Sequence, residues 1–254
     1  MFPEARKRRI LELMRSGEAV TVGELSAEFG VSESTIRRDL RELEESGLLE
    51  RTHGGAVPAA GTLDEPTFAE KTDQNLPEKA AIARLAAGLV QDGASIILDA
   101  GTTTLEIARL LRNRRNLTVV TNAFHIASEL ADVPGIAVIV TGGQIKGNTL
   151  ALVGPATERM LDEVNVDMVF LGVNGIDLQR GLTTPTQAEA SVKQRMIRAA
   201  RKVVVVADHT KFGRVAFATI TPVWNAHLII ADSGLDQAVA RELTAGGLEV
   251  LVAE

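Results

Sequence analysis

From Ser95 onward the chain alternates short β-branched and aliphatic runs with amphipathic stretches of helical period, a pattern that few folds accept. Strands are expected at Ser95–Asp99, Leu117–Thr121, Ile136–Thr141, Met168–Val173, Lys202–Ala207 and His227–Ala231, with a short one near Glu249–Val252. Helices are expected between them, at about Pro77–Val90, Thr103–Arg112, Ala123–Leu130, Pro155–Glu163, Gln187–Ala200 and Leu235–Thr244. Continuous apolar strands separated by amphipathic helices imply an α/β domain with a mainly parallel sheet covered on both faces. Ligands of such sheets sit at the carboxyl ends of the strands.

Upstream of residue 58 the pattern differs. Ile10, Leu11, Leu13 and Met14 give a first helix a buried face that ends at Ser16-Gly17. Thr21 and Glu24 have the spacing of a capping box, which opens a second helix through Leu25 and Phe29 that Gly30 can end. Ser32 caps a third helix running to about Ser46, and Leu48–Thr52 with His53–Val57 reads as two short strands about a glycine turn. Helix, helix, turn, helix, hairpin is the order of a winged helix-turn-helix. Between the two regimes Pro58–Pro77 carries three prolines and no sustained period, which reads as a linker or irregular arm. The expected domains are therefore residues 1–57, a linker at 58–76, and 77–254.

Composition narrows the function. With no cysteine, disulfides, thiolate metal ligands and a catalytic thiol are excluded. The absence of tyrosine and a 3% aromatic content argue against base-stacking platforms. Apolar runs such as Val203–Ala207 fall far short of the ~20 residues that span a bilayer, and Met1–Arg9 is not followed by a signal-peptide core. A cytoplasmic, soluble protein without membrane attachment is expected. The four histidines, at 53, 125, 209 and 227, show no metal-ligand spacing, and nucleophile-elbow and zincin motifs are lacking. No metal or cofactor is called for.

On a wheel of about 100° per residue centred on Ile36, Leu40 falls near 40° and Leu43 near 340°, a buried stripe. Ser34, Arg37, Arg38 and Arg41 fall between about 100° and 200° on the opposite, exposed face. Three guanidiniums on a solvent-facing helix suit guanine edges or phosphates in the major groove. The same helix also reads as an ordinary amphipathic one whose arginines pair with neighbouring glutamates. The Arg6-Lys7-Arg8-Arg9 cluster reads either as further phosphate contacts or as an exposed helix face.

In the second part, Asp99-Ala100-Gly101-Thr102-Thr103-Thr104 closes a strand and opens a helix. The tight turn, unpaired helix-start N–H groups and three hydroxyls make an anion site, or else simple threonine capping. The stretch is neither a Walker loop nor a dinucleotide fingerprint. Thr121-Asn122, Thr141-Gly142-Gly143, Gly172-Val173-Asn174-Gly175 and Ala207-Asp208-His209-Thr210-Lys211 end other strands and converge on the same edge. Such a rim suits a small polyhydroxylated anion. Lys211 could neutralise a phosphate or stand as a surface lysine, and His209 could meet a ligand or simply occupy the loop.

Val31–Leu40, with Leu43, Gly47, Leu48 and Arg51-Thr52-His53-Gly54-Gly55-Ala56, resembles the DNA-binding signature of DeoR-type bacterial transcription regulators. By that resemblance Ser32, Ser34, Thr35, Arg37 and Arg38 contact DNA, with Arg41 on the same face, and the wing around Arg51 and His53 touches backbone or minor groove. The second part is similar to the effector domain of that family at Lys79, Asp99–Thr104, Asn122, Gly142-Gly143, Phe170–Asp177, Gly181–Thr184, Glu189, Lys193 and Ala207–Gly213. That domain in turn resembles ribose-5-phosphate isomerase. The resemblance implies that Lys79 and Gly101, Thr102, Thr103 and Thr104 hold a phosphate, and that Asp177 and Lys211 face a sugar. Asp99, Asn122, Gly143, Asn174 and Gly175 complete the expected effector site.

Aldose–ketose isomerisation needs a carboxylate base. Where the isomerases carry Asp-Gly-Ala-Asp-Glu, this chain reads Asn174-Gly175-Ile176-Asp177-Leu178, so two of three carboxylates are absent. Glu189 could replace the base, but Thr186 and Glu189 also have capping-box spacing. A sensor is expected rather than an isomerase with an appended DNA-binding domain. The expected protein is an operator-binding repressor, with activation an alternative, that responds to a phosphorylated sugar or polyol and works as a homodimer or tetramer. Its net charge of −6 divides into −2 for residues 1–57 and −4 for the rest, so a uniformly basic nucleic-acid coat is excluded. DNA reading must rest on where the arginines lie.

Overall fold

The computed structural model describes residues 3–14, 20–45, 49–52, 54–58 and 67–254. The chain forms two compact units, residues 1–65 and 66–254.

The first unit runs α1 (Pro3–Met14), β1 (Val20–Thr21), α2 (Val22–Phe29), α3 (Glu33–Glu45), β2 (Leu49–Arg51) and β3 (Gly55–Pro58). Thr21 caps α2 reciprocally with Glu24: its hydroxyl accepts from the Glu24 N–H at 3.2 Å, and the Glu24 carboxylate accepts from the Thr21 N–H at 3.1 Å. Gly30 closes α2 in the left-handed region, at φ 64°. Ile36, Leu40 and Leu43 face inward against Ile10, Met14, Leu25 and Leu49, each fully buried aliphatic side chain contributing roughly 2 kcal/mol. The hairpin of β2 and β3 gains β1 as a third antiparallel strand, in the order β1-β3-β2. A side chain at Gly55 would put its Cβ 1.9 Å from the Val20 carbonyl oxygen, so only glycine lets β1 pair there. The unit is a winged helix-turn-helix.

The second unit opens with α4 (Phe68–Asp73) and α5 (Leu76–Gly88). There follow β4 (Ser95–Leu98), α6 (Thr102–Leu111), β5 (Leu117–Thr121), α7 (Phe124–Leu130) and β6 (Ile136–Val140). Two short strands, β7 (Gln144–Lys146) and β8 (Ala151–Val153), precede α8 (Pro155–Asp162) and β9 (Val166–Leu171). The chain continues through β10 (Gly175–Asp177), β11 (Gly181–Thr184), α9 (Gln187–Ala199), β12 (Ala200–Val206) and β13 (Ala218–Thr221). It closes with β14 (Leu228–Asp232), α10 (Gln237–Ala245) and β15 (Glu249–Ala253).

Seven strands form one parallel sheet in the order β15-β14-β12-β9-β4-β5-β6. Alternate residues feed two cores. Leu98, Val204 and Val206 pack under α5, α6 and α7, while Ile97, Val203 and Val205 pack under α8, α9 and α10. The strand order runs outward in both directions from β4, so the crevice beyond the ends of β4 and β9 is the topological switch point where open α/β sheets bind ligands. Among the described residues no helix is long and apolar enough to cross a membrane.

Several short elements depart from the sequence reading. Residues 68–73 form α4 instead of an irregular arm, because Thr67 and Glu70 make a second capping box. The strands β7, β8, β10, β11 and β13 have 3 or 4 residues each, too few to show a period, and build a hairpin and a small antiparallel sheet beside the main one.

Candidate DNA-reading surface and effector site

At the start of α3 the Ser32 hydroxyl lies 2.8 Å from that of Ser34 and 2.9 Å from that of Thr35, and accepts from the Thr35 N–H at 3.3 Å. Ser34, Arg37, Arg38 and Arg41 are exposed, as the wheel requires. Arg37 pairs with Glu33 and Arg38 with Glu42, each at 3.1 Å and four residues apart. Exposed pairs of this kind contribute little and yield to salt, so they hold the guanidiniums without sequestering them. Arg41 makes no hydrogen bond to a described residue. On the wing, Arg51 is anchored to Glu44 of α3 through both its backbone N–H and its guanidinium, at 3.1 and 2.6 Å. His53 lies outside the described residues.

The N-terminal basic cluster divides. Arg6 is buried and donates to both oxygens of Asp39 on α3, at 2.5 and 3.1 Å. Neither a phosphate contact nor an exposed face describes it; it ties α1 to α3. Lys7 bonds Glu42, and Arg9 pairs with Glu28 at 3.8 Å.

In the second unit the strand ends converge at the switch point. Asp99, directly after β4, is buried with both oxygens occupied. Its Oδ1 accepts from the Ala100 N–H at 2.8 Å, and its Oδ2 accepts from the Gly172 N–H at 3.0 Å and from the Lys193 ammonium of α9. Lys193 also donates to the Gly172 carbonyl at 3.0 Å. Burial pushes the Asp99 carboxyl up, against the opposing pull of Lys193 and the two N–H groups. Asn122, after β5, accepts from the Ala100 N–H at 2.9 Å and donates to the Leu152 carbonyl at 3.2 Å. Thr104 is buried, its hydroxyl donating to the carbonyls of Asp99 and Gly101 at 2.6 and 2.9 Å. The polar groups of these three residues are engaged within the protein and fix the shape of the β4–α6 turn.

Thr102 and Thr103 differ: both are half-buried, and their hydroxyls make no hydrogen bond to a described residue. The N–H groups of the first turn of α6 are likewise free of intrahelical partners. Lys79 and Lys211 lie in electrostatic range of each other and make a cationic corner. Lys79 of α5 is buried; burial pulls its ammonium below the ordinary lysine value, opposed by Asp208 and reinforced by Lys211, with Glu106 of α6 also in electrostatic range. That ammonium donates to the carbonyls of Lys71 and Gln74 at the end of α4. Lys211 lies 3.8 Å from Asp208, which accepts from the Asn75 amide at 3.3 Å.

Four expected site residues have local duties. Gly143 takes φ 113°, and a Cβ there would lie 2.1 Å from the Thr157 hydroxyl oxygen. A Cβ at Gly175 would lie 2.4 Å from the Arg214 carbonyl oxygen. The Asn174 amide oxygen lies 3.4 Å from the Thr184 hydroxyl. Asp177 closes the β10–β11 turn, accepting from the N–H groups of Gln179 and Arg180 at 2.9 and 2.7 Å. It stands three strand residues, about 10 Å, beyond Asn174. Glu189 accepts from the Thr186 hydroxyl at 2.7 Å and from Lys146 at 2.9 Å, so an ion pair occupies the carboxylate considered as a base. Lys193 was not among the residues expected to form the effector site. Its signal was a lysine within the apolar stripe of Ala190, Val192 and Met196 on α9.

Residues 6–60 match the DeoR-like helix-turn-helix domain, and residues 74–233 match the DeoR C terminal sensor domain. The HTH-type transcriptional regulator GlpR of Haloferax volcanii is 43% identical over 99% of this chain and 98% of its own length. The chain belongs to the DeoR family. The putative aga operon transcriptional repressor of Escherichia coli O157:H7 is 36% identical over 97% of this chain and 93% of its own. Transcriptional repressor AccR of Agrobacterium fabrum is 39% identical over 90% and 89%. As a DeoR-family member the protein is a DNA-binding transcriptional regulator and not an enzyme. Ribose 5-phosphate isomerase A from Methanocaldococcus jannaschii is similar at 21% identity and a TM-score of 0.41, the chain spanning 55% of that structure's length.

Proposed function

We propose that the protein represses a carbohydrate-metabolism operon and is released from its operator by a phosphorylated sugar or polyol bound at the carboxyl edge of the parallel sheet. The observation that carries this reading is a set of unengaged donors at the carboxyl edge of the sheet, the first turn of α6 with Thr102 and Thr103, together with Lys79, which lies in electrostatic range of Lys211 and of Glu106 on α6. A phosphoryl group meets both requirements, and two relatives bear the name repressor. The first unit, residues 1–65, reads DNA, and the second, residues 66–254, senses the effector and assembles a homodimer or tetramer in the cytoplasm. Dimeric assembly suits a helix-turn-helix reader of paired half-sites.

Lys79 supplies a route for the response. Its ammonium caps the carbonyl end of α4, the first helix of the sensor unit. An anion bound at the cationic corner competes for the same ammonium, so α4 loses its cap when the effector binds. The coupling requires only that the effector prefer the arrangement with lower operator affinity.

A thermal-shift screen against phosphorylated sugars and polyols, paired with fluorescence anisotropy on upstream promoter DNA, tests the reading. Thr103→Ala and Lys211→Ala are expected to abolish the effector response while operator affinity stays at the wild-type value. Loss of operator binding in both variants would assign these residues to folding and overturn the effector site.

A further inference from the structure

At the end of β14 the buried Asp232 carboxylate accepts three N–H bonds: from the His209 backbone at 2.7 Å, the Gly234 backbone at 2.9 Å and the His209 ring Nδ1 at 2.8 Å. Burial works against ionisation of Asp232, but the N–H groups of Gly234 and His209 and the His209 ring outweigh it and hold the carboxyl below its ordinary value. An ionised carboxylate only accepts, so the ring nitrogen facing it, Nδ1, carries a hydrogen, and in the neutral form of the ring Nε2 is an acceptor. The ring face is fixed as well: a Cβ at Gly234 would lie 2.6 Å from Nδ1. A histidine so oriented on both edge and face, with its ring still 38% exposed, is built to present its second nitrogen.

His209 shares a single 3-10 turn, His209–Lys211, with Lys211 and directly follows Asp208. Lys79, Lys211 and the N–H groups of α6 are donors only. They satisfy a phosphoryl group but offer nothing to the hydroxyl hydrogens of a sugar or polyol. Among the described residues no group of three His, Asp or Glu side chains could hold a metal ion.

We propose that His209 is the hydroxyl-recognising residue of the effector site, its Nε2 accepting from a ligand O–H while Asp232 and Gly234 hold the ring in place. This inference rests on the effector reading above. The competing role for His209 is a clip that joins the end of β12 to the end of β14 through Nδ1.

Two substitutions separate these roles. His209→Asn keeps a donor near the Nδ1 position and loses the Nε2 group, whereas His209→Gln keeps a polar group near Nε2 and loses the Nδ1 donor. The full-length variants are titrated with ribose 5-phosphate, fructose 1-phosphate and glycerol 3-phosphate, with inorganic phosphate as the hydroxyl-free comparator, and their melting temperatures are recorded. His209→Asn is expected to bind the preferred organic phosphate about tenfold more weakly, to keep its affinity for inorganic phosphate and to melt as the wild type does. His209→Gln is expected to stay within about threefold of wild type for the organic phosphate. Wild-type affinity in His209→Asn, an equal loss of inorganic phosphate, or a loss in His209→Gln matching that in His209→Asn would overturn the inference and leave the effector reading standing. A wild type that responds to none of the four compounds removes both.

Discussion

Single charged groups hold the sensor unit at its most sensitive points, and each is anchored by partners far away in sequence. Lys193 reaches 94 residues back to Asp99, clamping the end of β4 to that of β9 from the helix above. Asp232 gathers N–H groups from 209 and 234. Because its carboxyl is held below the ordinary carboxylate value, Asp232 favours the folded state above the unfolded pKa of about 3.9, and that contribution disappears as pH falls through the lower folded value. The melting-temperature gap between wild type and Asp232→Asn should therefore shrink as pH falls below about 4. A gap that stays unchanged through the acid limb would contradict the assignment. Such residues were poorly legible in the sequence, where spacing reports neighbours on one helix or strand and is silent about a partner on a distant turn. Thr102, Thr103 and Lys211 stood out because a strand-to-helix turn announces itself locally.

Among the elements, α3 was the most legible, since its stripe of Ile36, Leu40 and Leu43 and its exposed arginines follow from helical period alone. The link between α3 and α1 was not. Arg6 looked like one more surface cation, yet with Asp39 it forms a buried ion pair across the helix interface. Removing one partner leaves the other charge buried and unpaired, so Arg6→Met or Asp39→Leu alone should destabilise the DNA-binding unit by roughly 3 kcal/mol, and the double substitution should recover most of that loss. Denaturant titrations of the four proteins check the cycle. The helix α4 was missed for a different reason: its capping box at Thr67 and Glu70 has the same spacing as the recognised one at Thr21 and Glu24, but follows a proline-bearing stretch without apolar period. The short strands β7, β8 and β10 have three residues each and pair in local hairpins, too short for a period to show.

Across the whole molecule the net charge is −6, while Arg37, Arg38 and Arg41 lie exposed on α3, the helix proposed to read DNA. Non-specific binding should accordingly be weak at physiological salt. Arg37→Ala with Arg38→Ala is expected to lower operator affinity at least tenfold and to reduce the slope of log K against log salt by about 0.9 for each phosphate that the two arginines neutralise. Anisotropy titrations over a range of potassium chloride concentrations measure both quantities, and unchanged affinity would remove α3 from the reading role. The parallel sheet was legible as a class of fold, but its strand order was not, because apolar runs do not say which neighbour they will choose. That order has a consequence for synthesis on the ribosome. Every strand after β4 joins at a free edge, first β5 and β6 on one side, then β9, β12, β14 and β15 on the other. No strand must wedge between two already paired, so the nascent chain can add to the sheet as it emerges. The inner edge of β4, however, stays open until β9 is made about 70 residues later. During that interval the half-built sensor displays an unpaired apolar strand, the moment at which a chaperone has most to protect.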